Sequence, residues 1–119
     1  LHYGRDALVG IGLFLTYLAE KKMSMTALKA TYPQYTIAKN KMQLTPDLDV
    51  DQLLQKFEEH HKENEVDTTD GVKVILDGEW VHLRKSNTEP IIRVYTESKD
   101  EASAKALGEK VIASIKEMI

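Results

Sequence analysis

Glu65-Val66-Asp67-Thr68-Thr69-Asp70-Gly71-Val72-Lys73-Val74-Ile75-Leu76-Asp77-Gly78-Glu79-Trp80-Val81-His82-Leu83-Arg84-Lys85 decides the fold. Short β-branched and aromatic segments (65–69, 72–76, 80–85) are separated by Asp70-Gly71 and Asp77-Gly78. Asp-Gly between such segments is the strongest short-range signal for a hairpin, because glycine supplies the positive φ that tight turns need. A fourth segment, Ile91 to Thr96, has the same character. The spacing predicts an antiparallel meander.

Helical patterns flank the meander. Asp49 with Gln52 three residues later resembles a capping box. Val50, Leu53, Leu54 and Phe57 follow at helical spacing, which predicts an amphipathic helix from Val50 to about Lys62. After the fourth strand, Ser98 to Glu101 has capping-box spacing, and Ala104, Leu107, Val111, Ile115 and Met118 mark one helix face. The fold class expected is α+β: an antiparallel four-stranded sheet with helices packed on one face, preceded by a helical N-terminal segment. In that segment Asp6 to about Lys22 reads as a helix that is apolar around most of its circumference, and such a helix wants neighbours on all sides. Ser24 is placed to cap a short helix through Ala30, and Tyr32-Pro33 ends it. Residues Tyr35 to Leu44 read as an extended segment, and 38–48, rich in Lys, Asn and Asp, as a linker.

The 119 residues carry formal charge −3, with 42% hydrophobic and 29% charged residues, the balance of one modest folded domain or one domain plus part of another. An acidic chain is a poor ligand for nucleic acid or for anionic membrane, so neither is expected as a partner. The absence of cysteine excludes disulfides, zinc-thiolate sites and cysteine catalysis. No signal-peptide pattern is seen, and Leu8 to Ala19 is too short to span a bilayer, so a cytoplasmic location is expected. The chain opens at Leu1, not Met, which reads as an excerpt from a longer protein.

Against this acidic background, Arg84-Lys85-Ser86-Asn87-Thr88-Glu89-Pro90-Ile91-Ile92-Arg93 holds three basic residues and one acid between two strands. Arginine offers a planar fork of donors that matches phosphate oxygens. Ser86, Thr88, the Asn87 amide and the loop N–H groups add neutral donors. Pro90 fixes the exit of the loop. The run therefore suggests a specific anion pocket, against the bland alternative of a polar turn with solvated arginines. No metal set is expected: His60 and His61 point about 100° apart on a helix and do not chelate together. His82 alternates with apolar Val81 and Leu83 and belongs on a solvent face; Trp80 reads as packing. Carboxylates are plentiful but unpaired, and no Ser/His/Asp arrangement, Walker loop or GxGxxG is present. No catalytic residue is expected in this chain.

The run Arg84-Lys85-Ser86-Asn87-Thr88-Glu89-Pro90 resembles the phosphate-binding loop of the α-D-phosphohexomutases, the family of phosphoglucomutase, phosphomannomutase and phosphoglucosamine mutase. Asp70-Gly71-Val72-Lys73 before it, Ile91-Ile92-Arg93-Val94 after it and the opening Gly4-Arg5-Asp6-Ala7-Leu8 extend the resemblance over essentially the whole chain. It implies that residues 1–38 are the helical tail of a preceding sugar-binding domain and 39–119 a C-terminal phosphate-binding domain, hinged near 38–48. It also implies an intramolecular phosphotransferase as parent, an isomerase moving phosphate between O1 and O6 of a hexose through a bisphosphate. The catalytic phosphoserine and the Mg2+ site would lie upstream, leaving this stretch inactive alone. Arg84, Ser86, Asn87 and Thr88, with Arg93 by position, would hold the phosphate that is not reacting. The partners implied are the hexose phosphate and the upstream domains. Lys85 stands where many relatives carry a small residue or proline. Asn87 stands where many bacterial glucosamine-phosphate enzymes carry glycine. Phosphoglucosamine mutase is the best-fitting branch, with phosphoglucomutase/phosphomannomutase close behind. A non-catalytic anion- or partner-binding module is the alternative of another class.

Overall fold

The computed structural model describes residues 4–45 and 47–119. Two compact units divide at Pro33 and Gln34. The first contains α1 (Ala7–Lys21) and α2 (Met25–Ala30). Asp6 caps α1 by accepting from the Val9 N–H, and Ser24 caps α2 by accepting from the Ala27 N–H. None of the α1 residues is buried, although Leu8, Ile11, Leu13 and Leu15 lie along it.

The second unit contains β1 (Thr36–Gln43), α3 (Val50–His60), β2 (Glu65–Asp67), β3 (Val72–Ile75), β4 (Trp80–Lys85), β5 (Ile91–Ser98) and α4 (Glu101–Met118). The strands form one antiparallel sheet in the order β1-β5-β4-β3-β2. The expected α+β class holds, but the sheet has five strands, not four. The additional one is β1, which pairs with β5 from Thr36↔Ser98 to Gln43↔Ile91. The stretch 38–48 is thus strand, not linker, over its first part, and the division of the chain precedes the boundary expected after residue 38. β1 alternates weakly in polarity because it is an edge strand that buries only Met42 outright.

Strand alternation sorts the side chains onto two faces. Met42, Val72, Val74, Val81, Leu83, Ile92 and Val94 are buried together with Leu53, Leu54 and Phe57 of α3 and Val111 and Ile115 of α4. Each such aliphatic side chain taken fully from water contributes about 1.5–3 kcal/mol. Thr96 and Ser98 are buried on this side too, and both hydroxyls are satisfied: the Thr96 hydroxyl donates to the Ala104 carbonyl of α4 at 2.7 Å, and the Ser98 hydroxyl donates to Glu79. Ser98 is therefore the end of β5, not the cap of α4. Asp100 fills that role and accepts from the Ser103 N–H at 2.8 Å. That bond holds the Asp100 carboxyl below its ordinary pKa. The opposite face of the sheet carries Lys39, Lys41, Lys73, Trp80, His82, Arg84, Arg93, Tyr95 and Glu97, and no helix of this unit covers it.

Candidate functional site

The loop between β4 and β5 is held shut by backbone bonds. The Ser86 N–H donates to the Ile91 carbonyl at 3.1 Å, and the Ile91 N–H donates to the Glu89 carbonyl at 2.8 Å. From outside the loop, the Leu44 N–H donates to the Pro90 carbonyl at 2.9 Å. Within it the Thr88 N–H points to Ser86 Oγ, and the two hydroxyl oxygens stand 3.5 Å apart. These are long contacts that leave both hydroxyls available to a ligand.

Strand register puts Arg84 directly opposite Arg93 on the open face. The structure brings all five sequence-predicted residues, Arg84, Ser86, Asn87, Thr88 and Arg93, to one shallow depression of about 200 Å³, which Lys85 completes. Arg84 is half exposed, and its Nε lies 3.0 Å from Asp70 Oδ2. That contact engages one nitrogen of the fork and leaves the terminal two for another acceptor. Lys85 points to the helix side, where its Nζ lies 2.7 Å from Asp51 Oδ1 in the first turn of α3. Its charge is thereby offset, whereas Arg93 has no ion pair among the described residues. Glu89 does not face this depression; it lines a neighbouring one with Lys39, Lys41 and Tyr95.

Asp70 and His82 were not identified from the sequence as part of the site. The Asp70-Gly71 turn delivers Asp70 to Arg84. Gly71 sits at φ 75° with its Cα against β4: a Cβ there would collide with the Leu83 carbonyl oxygen and lie 3.2 Å from the Arg84 Cα. Only glycine permits that approach. His82 fixes the same turn, its Nε2–H donating to the Asp70 carbonyl at 2.6 Å. The signal available was the position of His82 and Arg84 on one face of β4, two residues apart.

Other features carry no comparable chemistry. His61 caps α3, its Nδ1 2.9 Å from the Phe57 carbonyl and its ring tilted on Phe57. Trp80 Nε1–H donates to Glu97 at 2.8 Å, with the Lys73 ammonium over the indole. Among the described residues no group of three or more His, Asp or Glu is placed to hold a metal ion. Among them, too, no helix is long and apolar enough to cross a membrane. Another depression, about 440 Å³, lies beside α3 and β2, where two carboxylates, Glu58 and Glu59, against one ammonium, Lys62, make it a poor site for an anion.

The chain is 39% identical over 107 residues to the phosphoglucosamine/phosphogalactosamine mutase of Sulfurisphaera tokodaii, covering 88% of this chain and 24% of that protein. It is 32% identical over 118 residues to the phosphoglucomutase/phosphomannomutase of Thermococcus kodakarensis, covering 98% of this chain and 25% of the relative. A probable phosphoglucosamine mutase of Methanopyrus kandleri is 27% identical over 121 residues, 26% of its length. The chain thus spans about a quarter of the length of the curated relatives it matches. Residues 39–114, the five-stranded unit from within β1 to near the end of α4, match the family described as the C-terminal domain of phosphoglucomutase/phosphomannomutase, and the chain belongs to that family.

Proposed function

We propose that this chain is the phosphate-gripping part of a phosphohexomutase, and that Arg84, Ser86, Asn87, Thr88 and Arg93 hold the phosphate of the hexose that is not reacting. The observation that carries this reading is the convergence of those five residues on one depression, with the Arg84 fork partly free and Arg93 without an acidic partner. Charge-assisted hydrogen bonds from two guanidiniums to one dianion are the strong kind. Binding a remote phosphate in this way positions the reacting end of the sugar without taking part in the chemistry. A grip on phosphate alone also accepts the group from either end of the ring.

In this reading the whole protein is an isomerase, and the phosphoryl-bearing serine and magnesium are supplied by segments other than this one. The magnesium would supply charge neutralisation at the transferring phosphoryl group; the residues here would only bind and orient. This stretch alone is therefore inactive. The helical residues before β1 would belong to the preceding sugar-binding domain, and the sheet unit, β1 included, to the phosphate-binding domain, so the boundary falls a few residues before 38. Hexosamine phosphate is the preferred substrate, because two of the three relatives named above carry phosphoglucosamine in their names. Glucose or mannose phosphate is the second reading, favoured by Asn87 and by the Thermococcus relative. The test is Arg84→Ala in the full-length enzyme, assayed with glucosamine, glucose and mannose phosphates. The proposal expects KM to rise by about ten-fold or more for every substrate used. Unchanged KM and kcat would overturn the site, and exclusive turnover of glucose or mannose phosphate would overturn the preferred substrate.

A further inference from the structure

Lys85 stands between two depressions. It lines the loop depression with Ser86, Thr88 and Arg93, and it lines another of about 220 Å³ with Asp51 and Asp70. Arg84 and Asn87 border both, so the two are contiguous. Each of the two adjacent cations carries one acid delivered by a remote element: Arg84 has Asp70 from the turn before β3, and Lys85 has Asp51 from the first turn of α3. The two pairs differ in kind. Asp70 takes only the Nε edge of a five-donor fork, so Arg84 can hold it and a phosphate together. Asp51 instead grips Lys85 with both carboxylate oxygens, at 2.7 and 2.8 Å from Nζ. An ammonium is a compact point charge, so Lys85 faces one anion at a time.

The Lys85–Asp51 pair is not needed to hold the loop. Lys85 is fixed in the β4–β5 ladder opposite Ile92, and the loop is closed by backbone bonds at Ser86, Ile91 and Pro90. Leu53, Leu54 and Phe57 fasten α3 to the sheet. Both members of the pair are exposed, Asp51 by 70%, and an exposed lysine–carboxylate pair holds its partners only loosely. A phosphate dianion gripped by two guanidiniums offers the same ammonium more charge and more acceptors. We propose that Lys85 is a further phosphate-binding residue of this site, exchanging Asp51 for the phosphate when the ligand enters the loop. The inference rests on the loop being a phosphate site. Asp51 is then a counter-ion that keeps the ammonium docked at the rim and lowers affinity by the cost of the exchange. The flexible four-carbon stem turns about its own bonds, so neither strand nor helix has to move.

The test is a double-mutant cycle in this chain: wild type, Asp51→Asn, Lys85→Met and the double variant, with Arg84→Ala as the control for the loop. Each is titrated with inorganic phosphate as its dianion at constant ionic strength. Backbone-amide NMR reads the binding and shows that each variant keeps its fold. Lys85→Met is expected to weaken phosphate about three-fold, and Asp51→Asn to tighten it about four-fold, because the ammonium is no longer shared. In the Lys85→Met background, Asp51→Asn should change affinity by less than about two-fold. Phosphate should also move the Asp51 and Gln52 amides in wild type but not in Lys85→Met. Asp51→Asn that weakens phosphate makes the pair a strap and overturns the exchange. Tightening of equal size in both backgrounds is only the field of one removed carboxylate and overturns it too, as does Lys85→Met that binds like wild type. In each of these cases the loop stands if Arg84→Ala has lost binding. Phosphate that shifts nothing at residues 84–88, or that binds Arg84→Ala unchanged, overturns the loop and the exchange together.

Discussion

Gly71 and Gly78 occupy equivalent Asp-Gly turns with nearly the same backbone angle, φ 75° and 73°, but different surroundings. A Cβ at Gly78 meets open space, and one at Gly71 meets the Leu83 carbonyl. Gly78→Ala should therefore cost only the left-handed penalty, about 1–2 kcal/mol. Gly71→Ala should cost more, about 3 kcal/mol, because β4 must also move. Urea unfolding of the two variants checks the difference; equal losses would mean that Gly71 is only a turn residue. Gly71→Ala should also weaken phosphate binding, since it displaces Asp70 from Arg84, whereas Gly78→Ala should not. The Asp70–Arg84 pair itself is exposed and contributes little to stability, at most about 1 kcal/mol. Its part is to hold one edge of the guanidinium.

Helix α4 begins on Asp100, whose carboxylate accepts the Ser103 N–H and is held below its ordinary pKa by that bond. A carboxyl whose folded pKa is depressed stabilises the fold above its unfolded pKa, about 3.9, and the contribution is lost as pH falls through the folded value. Asp67, held below its ordinary pKa first by the Thr69 hydroxyl and then by the Thr69 N–H, behaves in the same sense. The unfolding midpoint of Asp100→Ala should thus lie below wild type at pH 7 and converge on it below about pH 4. A gap that persists undiminished in acid would show that the cap acts through something other than its charge. The elements most legible in the sequence were those with strong local chemistry: two Asp-Gly turns, the periodic faces of α3 and α4, and Ser24 and Asp49 as caps. β1 was less legible because Lys39, Asn40 and Lys41 carry no apolar alternation, and its place is set by β5, which is remote in sequence. Ser98 misled because its hydroxyl is a plausible cap, yet pairing with Thr36 keeps it in the strand.

For the whole molecule, the donors of the candidate site were visible because they sit in one loop. Their supports were not: Asp51 on α3 and Asp70 in the β2–β3 turn reach the site only through the tertiary fold. The same separation explains why the chemistry looks incomplete. The sheet presents donors on one face and buries its apolar side under α3 and α4, so the site is rigidly backed but open. Leu83 lies under the start of the loop and is fully buried. Leu83→Ala should cost about 2–5 kcal/mol and abolish the site by unfolding it, whereas Arg84→Ala should remove binding from a folded protein.

A backbone-amide NMR titration of this chain with inorganic phosphate, against chloride at equal ionic strength, shows whether residues 84–93 form a phosphate site. A phosphate site there gives saturable shifts concentrated at residues 84–88 and 93, lost in Arg84→Ala while the rest of the spectrum is retained. Saturable shifts elsewhere, or a loop that does not respond to phosphate, would contradict it.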